Sequence, residues 1–120
     1  MKILIADDEP HIVTALEFLL QASGYEVLVA RNGDEALALV RSARPHLVLL
    51  DVMMPARSGY DVCREIRARP EIARTRVVML SAKGGQADVA RGLEAGADLY
   101  ITKPFSNREL LDRIRQLLAS

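Results

Sequence analysis

Short apolar runs recur along the chain at Ile3–Ala6, Val27–Ala30, Leu47–Leu50, Val77–Leu80 and Leu99–Ile101, and a stretch of helical period follows each of them. That alternation predicts repeated βα units and a parallel sheet. Ile3–Ala6, Leu47–Leu50 and Val77–Leu80 are apolar throughout instead of alternating, which is the pattern of strands covered by helices on both faces. Those three are expected at the centre of the sheet.

The helical stretches carry their own start and stop signals. Pro10 opens the first, which aligns Ile12, Ala15, Leu16, Leu19 and Leu20 on one face before Gly24 ends it. The second spans Asp34 to Ala43, with Ala36, Leu37 and Val40 inward and Pro45 just beyond. Ser58-Gly59-Tyr60-Asp61 is a capped start for a third helix, whose buried stripe is Val62 and Ile66. The fourth, Gln86 to Ala95, offers only Ala87, Ala90 and Leu93 as a thin apolar face, so it is expected to be the least firmly held. Ser106 and Glu109 form a capping box before Leu110, Leu111, Ile114, Leu117 and Leu118, the stripe of a last helix. Five βα units use up all 120 residues, so one domain over 1–120 is expected, with an α/β doubly wound architecture.

Composition narrows the function. Lys plus Arg and Asp plus Glu both number 16, so the formal charge is zero and nothing marks a surface for nucleic acid or an anionic membrane. The single cysteine, Cys63, excludes an internal disulfide and a cysteine-based zinc site, and reads as a small apolar helix residue suited to a reducing cytoplasm. The first apolar run is short and stops at an acid pair, so neither a signal peptide nor a membrane span is expected, and the location expected is cytoplasmic.

The polar residues that follow the strands form a pattern. Asp7 and Asp8 come after the first, Asp51 ends the third, Ser81 follows the fourth and Lys103 the fifth. Each alone is an ordinary strand end or helix cap. Together they lie at carboxyl ends, which in a parallel sheet share one edge, where ligands bind between connections that diverge to opposite faces. Three carboxylates brought together repel one another and imply a cation. Oxygen-only ligands favour a hard divalent ion, Mg²⁺, whose charge with that of Lys103 balances the three acids and leaves room for a phosphoryl group. His11 and His46 are placed as structural or surface residues. The chemistry this allows is attack of a carboxylate on phosphorus, with Asp51 as the nucleophile, Lys103 neutralising phosphoryl oxygens and Ser81 donating a hydroxyl.

At these residues the sequence resembles the receiver domain of two-component response regulators. "ILIADDEP", "LVLLDVMMP", "SGYDVCREIR", "VVMLSAK" and "GLEAGADLYITKPF" stand in the family's order and spacing. The resemblance implies a flavodoxin-like fold with strand order 2-1-3-4-5. It implies Asp51 as phosphoacceptor, Asp8 as a direct and Asp7 as a largely water-mediated Mg²⁺ contact, and the Met53 backbone carbonyl as a further ligand. Lys103 would contact phosphate, with its bond to Pro104 cis. It further implies a switch in which Ser81 is drawn inward and Tyr100 turns from exposed toward buried, altering the face of the fourth helix, fifth strand and fifth helix. The partners implied are a histidine kinase or phosphotransfer protein and a downstream protein effector, with self-catalysed phosphorylation and dephosphorylation as the only chemistry.

The sequence departs from regulators that dimerise through that face. Asp98, Glu109 and Arg113 remain, but Val89, Leu99 and Gln116 stand where charged partners are expected. The remaining charges therefore read as a solvated face, Val89 and Leu99 as part of an apolar patch, and the chain as a monomer or weak dimer. Lys83 and Met53 occupy positions that influence water access to the phosphoryl group, and neither is a carboxylate or amide, so unusually fast hydrolysis is not expected. Two other readings compete. A Mg²⁺-dependent phosphohydrolase with an aspartyl intermediate needs a second acid where Met53 stands; a flavodoxin-like electron carrier needs a phosphate loop where Asp7-Asp8-Glu9 would repel one.

Overall fold

A computed structural model describes residues 1–120. Strands and helices alternate strictly: β1 (Lys2–Ala6), α1 (Pro10–Ala22), β2 (Glu26–Ala30), α2 (Gly33–Ala43), β3 (Leu47–Asp51), α3 (Gly59–Ala68), β4 (Arg76–Ser81), α4 (Gln86–Glu94), β5 (Leu99–Thr102) and α5 (Asn107–Ala119). All strand pairs are parallel and the order is β2-β1-β3-β4-β5, the flavodoxin-like topology. The apolar strands β1, β3 and β4 are the inner ones.

Their uninterrupted hydrophobicity has a direct cause. Alternate side chains leave the sheet on opposite faces. Leu4, Val48, Leu50 and Met79 join a core with residues of α2 and α3. Ile3, Ile5, Leu49 and Leu80 join a second core with residues of α1 and α5. Every residue of β3 is buried.

Local chemistry sets the helix ends. The Asn32 side chain accepts from the Glu35 N–H at 2.8 Å, so α2 starts at Gly33, one residue before the expected position. Ser58 and Ser106 accept from the Asp61 and Glu109 N–H groups at 3.2 and 3.1 Å. Past α1, Gly24 takes φ +93°, a conformation that costs other residues more. In α4 only Gly92 is buried, in line with its thin apolar face.

Asp98 is exposed yet tied to the sheet: its Oδ2 accepts the Val77 N–H at 2.8 Å and lies 3.0 Å from the Arg67 guanidinium, while its N–H donates to Val77. The carboxylate thereby completes the β4–β5 ladder at its open end, and Arg67 braces it while donating to the Ala73, Thr75 and Gly96 carbonyls. Val89 and Leu99 are both half-buried, and Leu99 packs against the α1–α5 core. His46 proves structural, its Nδ1 accepting the Lys2 N–H at 3.0 Å. No helix is long and apolar enough to cross a membrane.

Candidate functional site

β1 has β2 on one side and β3 on the other, and α1 and α3 leave toward opposite faces of the sheet. The crevice so formed lies beyond the carboxyl ends of β1 and β3, the place where open α/β sheets bind ligands. Asp7 is held there by its own N–H, which donates to Ala30 at 3.0 Å and prolongs the β1–β2 ladder. Its side chain is only 1% exposed; Oδ1 accepts the Glu9 N–H at 2.9 Å. Asp8, the next residue, is exposed. Asp51, 7% exposed, is the last residue of β3, and its Oδ1 accepts the Met53 N–H at 3.3 Å. One carboxylate oxygen from each of Asp7, Asp8 and Asp51 lies within 4.8 Å of the other two.

Lys103 completes this cluster from the far side of the sheet. Its N–H donates to Ser81 at 2.8 Å, continuing the β4–β5 pairing by one residue, and its bond to Pro104 is cis. The ammonium then reaches 3.2 Å from Asp7 Oδ2 and 3.7 Å from Asp51 Oδ1. Ser81 is 1% exposed, with Oγ accepting the Lys83 N–H at 3.0 Å and its own proton left to donate. Tyr100 is half-buried under α4, and its hydroxyl donates to the Lys83 carbonyl at 2.7 Å. Lys83 thus ties Ser81 to Tyr100 through its two backbone groups.

Burial, followed by the Asp7 carboxylate, pushes the Asp51 carboxyl up to about 6; Lys103 and the Met53 N–H oppose the rise and Asp8 adds to it. A rise of that kind is what burial produces, reinforced by a neighbouring carboxylate that one shared ammonium only partly offsets. The donors are all oxygens, the negative charge exceeds the positive, and one face is open at Asp8, so the residues present fit a hard divalent cation. By contrast the Cys63 thiol, on the buried face of α3, is pushed up to about 11 by its burial and is inert at neutral pH.

Two positioning features escape a reading of the sequence. A Cβ on Gly59 would fall 2.5 Å from the Asp51 carbonyl oxygen and 2.8 Å from Val52 Cα, so only glycine lets α3 start against the end of β3. The Gly59 N–H donates to the Val52 carbonyl at 2.9 Å and locks that approach. The available signal was a glycine in the first turn of a helix, where better helix formers are tolerated. Ala56 adopts φ +72° in a turn closed by the Arg57 N–H on the Pro55 carbonyl at 2.9 Å, and nothing in its residue type announces it.

Comparison with known proteins agrees with this geometry. Residues 3–115 match the response regulator receiver domain family. A response regulator structure from Chloroflexus aurantiacus, described as putative, superposes with a TM-score of 0.95 at 36% identity, covering 99% of this chain and 98% of that one. The signal receiver domain of a signal transduction histidine kinase from Syntrophus aciditrophicus gives 0.92 at 36% identity, over 98% and 89% of the two chains. The chemotaxis protein CheY4 of Vibrio cholerae gives 0.90 at 31% identity, over 97% of each. The chain belongs to the response regulator receiver domain family, the phosphoacceptor modules of two-component signalling. Receiver domains bind Mg²⁺ in an acidic pocket, and Asp7, Asp8 and Asp51 form such a group here.

Proposed function

We propose that Asp51 accepts a phosphoryl group from a histidine kinase or phosphotransfer protein and that the domain answers by changing the surface of α4, β5 and α5 for a downstream protein effector. The observation that carries this reading is the Lys103 ammonium, 3.7 Å from Asp51 Oδ1 inside a group of three carboxylates. In the transfer, an Asp51 carboxylate oxygen attacks phosphorus, the phosphorus–nitrogen bond of the donor phosphohistidine breaks, and the leaving imidazole nitrogen keeps the electron pair and takes up a proton. Asp51 reacts as the carboxylate, which the Lys103 charge and the Met53 N–H favour. Lys103 and the Ser81 hydroxyl then neutralise and hydrogen-bond separate phosphoryl oxygens. Asp8 directly, Asp7 through water, Asp51 and the Met53 carbonyl would hold Mg²⁺, which supplies further neutralisation of phosphoryl charge when bound.

The switch follows from the Lys83 tie. When the Ser81 hydroxyl turns to a phosphoryl oxygen, the Lys83 N–H on its Oγ moves with it, and so does the carbonyl that holds Tyr100. That shift would carry the half-buried Tyr100 ring further toward burial. A phosphohydrolase is not favoured, because the thioether of Met53 can neither give a proton to a leaving group nor take one from attacking water.

Incubation with Mg²⁺ and acetyl phosphate, followed by intact mass measurement beside Asp51→Asn, tests the assignment. The wild type should gain one phosphate and the variant none; equal labelling of both would sink Asp51 as the acceptor.

A further inference from the structure

Since α4 buries only Gly92, contacts from neighbouring elements must hold it. One set comes from β5. The Tyr100 ring lies so close that a Cβ on Gly92 would fall 2.7 Å from its Cδ2, and its hydroxyl holds the Lys83 carbonyl.

The other set comes from α3. Tyr60, 4% exposed, donates a long hydrogen bond of 3.4 Å to the Asp88 carbonyl in the first turn of α4. The Arg91 guanidinium, one turn on, lies 4.3 Å from the centre of the same ring, a cation–π pair. Burial and the adjoining Tyr100 hold the Tyr60 phenol above its ordinary pKa, so the hydroxyl remains a donor at any physiological pH. The neighbour on its amino side is Gly59, which abuts the Asp51 carbonyl and is bonded to Val52. A single peptide link therefore separates contact with the strand end of the acceptor from contact with α4.

We propose that Tyr60 is a latch that holds α4 on the first turn of α3, a second clamp beside Tyr100, joined through Gly59 to the backbone at Asp51. The two clamps approach α4 from different elements and grip different residues, Asp88 and Arg91 against Lys83 and Gly92. The two rings adjoin, so the clamps are coupled, and each sets part of the population in which α4 is detached.

Hydrogen exchange of α4 amides, measured without any phosphodonor, tests the latch separately from the chemistry of Asp51. Tyr60→Leu removes both contacts and Arg91→Gln, at an exposed position, removes only the cation. Exchange across Gln86–Glu94 should rise about tenfold in the first and about two- to fivefold in the second, with β1 and β3 amides unchanged. Tyr60→Phe, which keeps the ring beneath Arg91, should restore most of the protection. Combined with Tyr100→Phe, Tyr60→Leu should exchange faster than either single variant, by less than the product of the two effects because the rings adjoin. Unchanged α4 exchange in both latch variants, a rise shared equally by β1 and β3, or a double variant no faster than Tyr100→Phe alone would each overturn the proposal.

Discussion

The Lys103 ammonium is shared unequally: 3.2 Å from Asp7 Oδ2 but 3.7 Å from Asp51 Oδ1, so the carboxylate proposed to react holds the weaker claim on it. Removing the charge should therefore leave Asp51 less compensated. In Lys103→Met the Asp51 carboxyl should titrate above about 6, since Lys103 acts to lower it. A carboxyl-carbon NMR titration reads this directly, and a value that stays or falls would show that the ammonium does not act on Asp51.

The same shift makes stability depend on pH. Asp51 titrates near 6 in the fold, against about 3.9 in an unfolded chain. The folded state binds its proton more tightly, so the stabilising contribution is complete below about pH 4 and is lost as pH rises through about 6. Asp51→Asn has no such titration. Without divalent ions, urea unfolding should show the variant gaining on the wild type by about 2–3 kcal/mol between pH 4 and 7. A constant difference across that range would contradict the raised value.

Divalent binding should act in the opposite sense to crowding. Mg²⁺ should raise the melting temperature of the wild type at pH 7 through mass action and return Asp51 toward an ordinary carboxylate. Asp8 is exposed, so Asp8→Ala should fold normally yet weaken Mg²⁺ binding about tenfold in calorimetry. Equal affinity in the two proteins would place the ion elsewhere.

Gly59 makes a steric prediction. An added methyl must push α3 away from the Asp51 carbonyl oxygen, 2.5 Å from where Cβ would stand. Gly59→Ala should cost about 1–3 kcal/mol of stability, as overpacking against backbone does, and slow phosphorylation by acetyl phosphate. The intrinsic preference of helices for alanine predicts the reverse sign, so the two effects are distinguished by one denaturation curve.

Ala56 makes the converse one. Its φ of +72° strains an L-residue at an exposed position, and glycine relieves the strain at some cost in unfolded-state entropy. Ala56→Gly should raise stability by about 0.5–1 kcal/mol in urea unfolding. A loss instead would mean that the turn relaxes in solution.

Much of this molecule is legible in its residue order. Fully apolar Ile3–Ala6, Leu47–Leu50 and Val77–Leu80 became the inner strands, Ser58 and Ser106 became caps, and the polar residues ending those strands met at one edge. The pairing of the exposed Asp98 with Val77 and Arg67 is not legible in the sequence, because their nearness depends on where β5 lies beside β4. Nothing in the sequence marks Tyr60 beyond its place in the capped start of α3, because its partners, Asp88 and Arg91, lie on a different helix.

The linear chain by itself determined which segments are strands and helices, where they stop and which chemical groups stand at their ends. Those signals arise between near neighbours, through side-chain period, caps and backbone preference, and so survive in one dimension. Only the tertiary structure decided that Lys103 leans toward Asp7, that Asp51 titrates near 6, that Gly59 must lack a side chain and that α4 is gripped by two tyrosines. Each of these depends on the separation of groups from strands and helices brought together by the sheet, and electrostatic and steric energies change steeply over such distances.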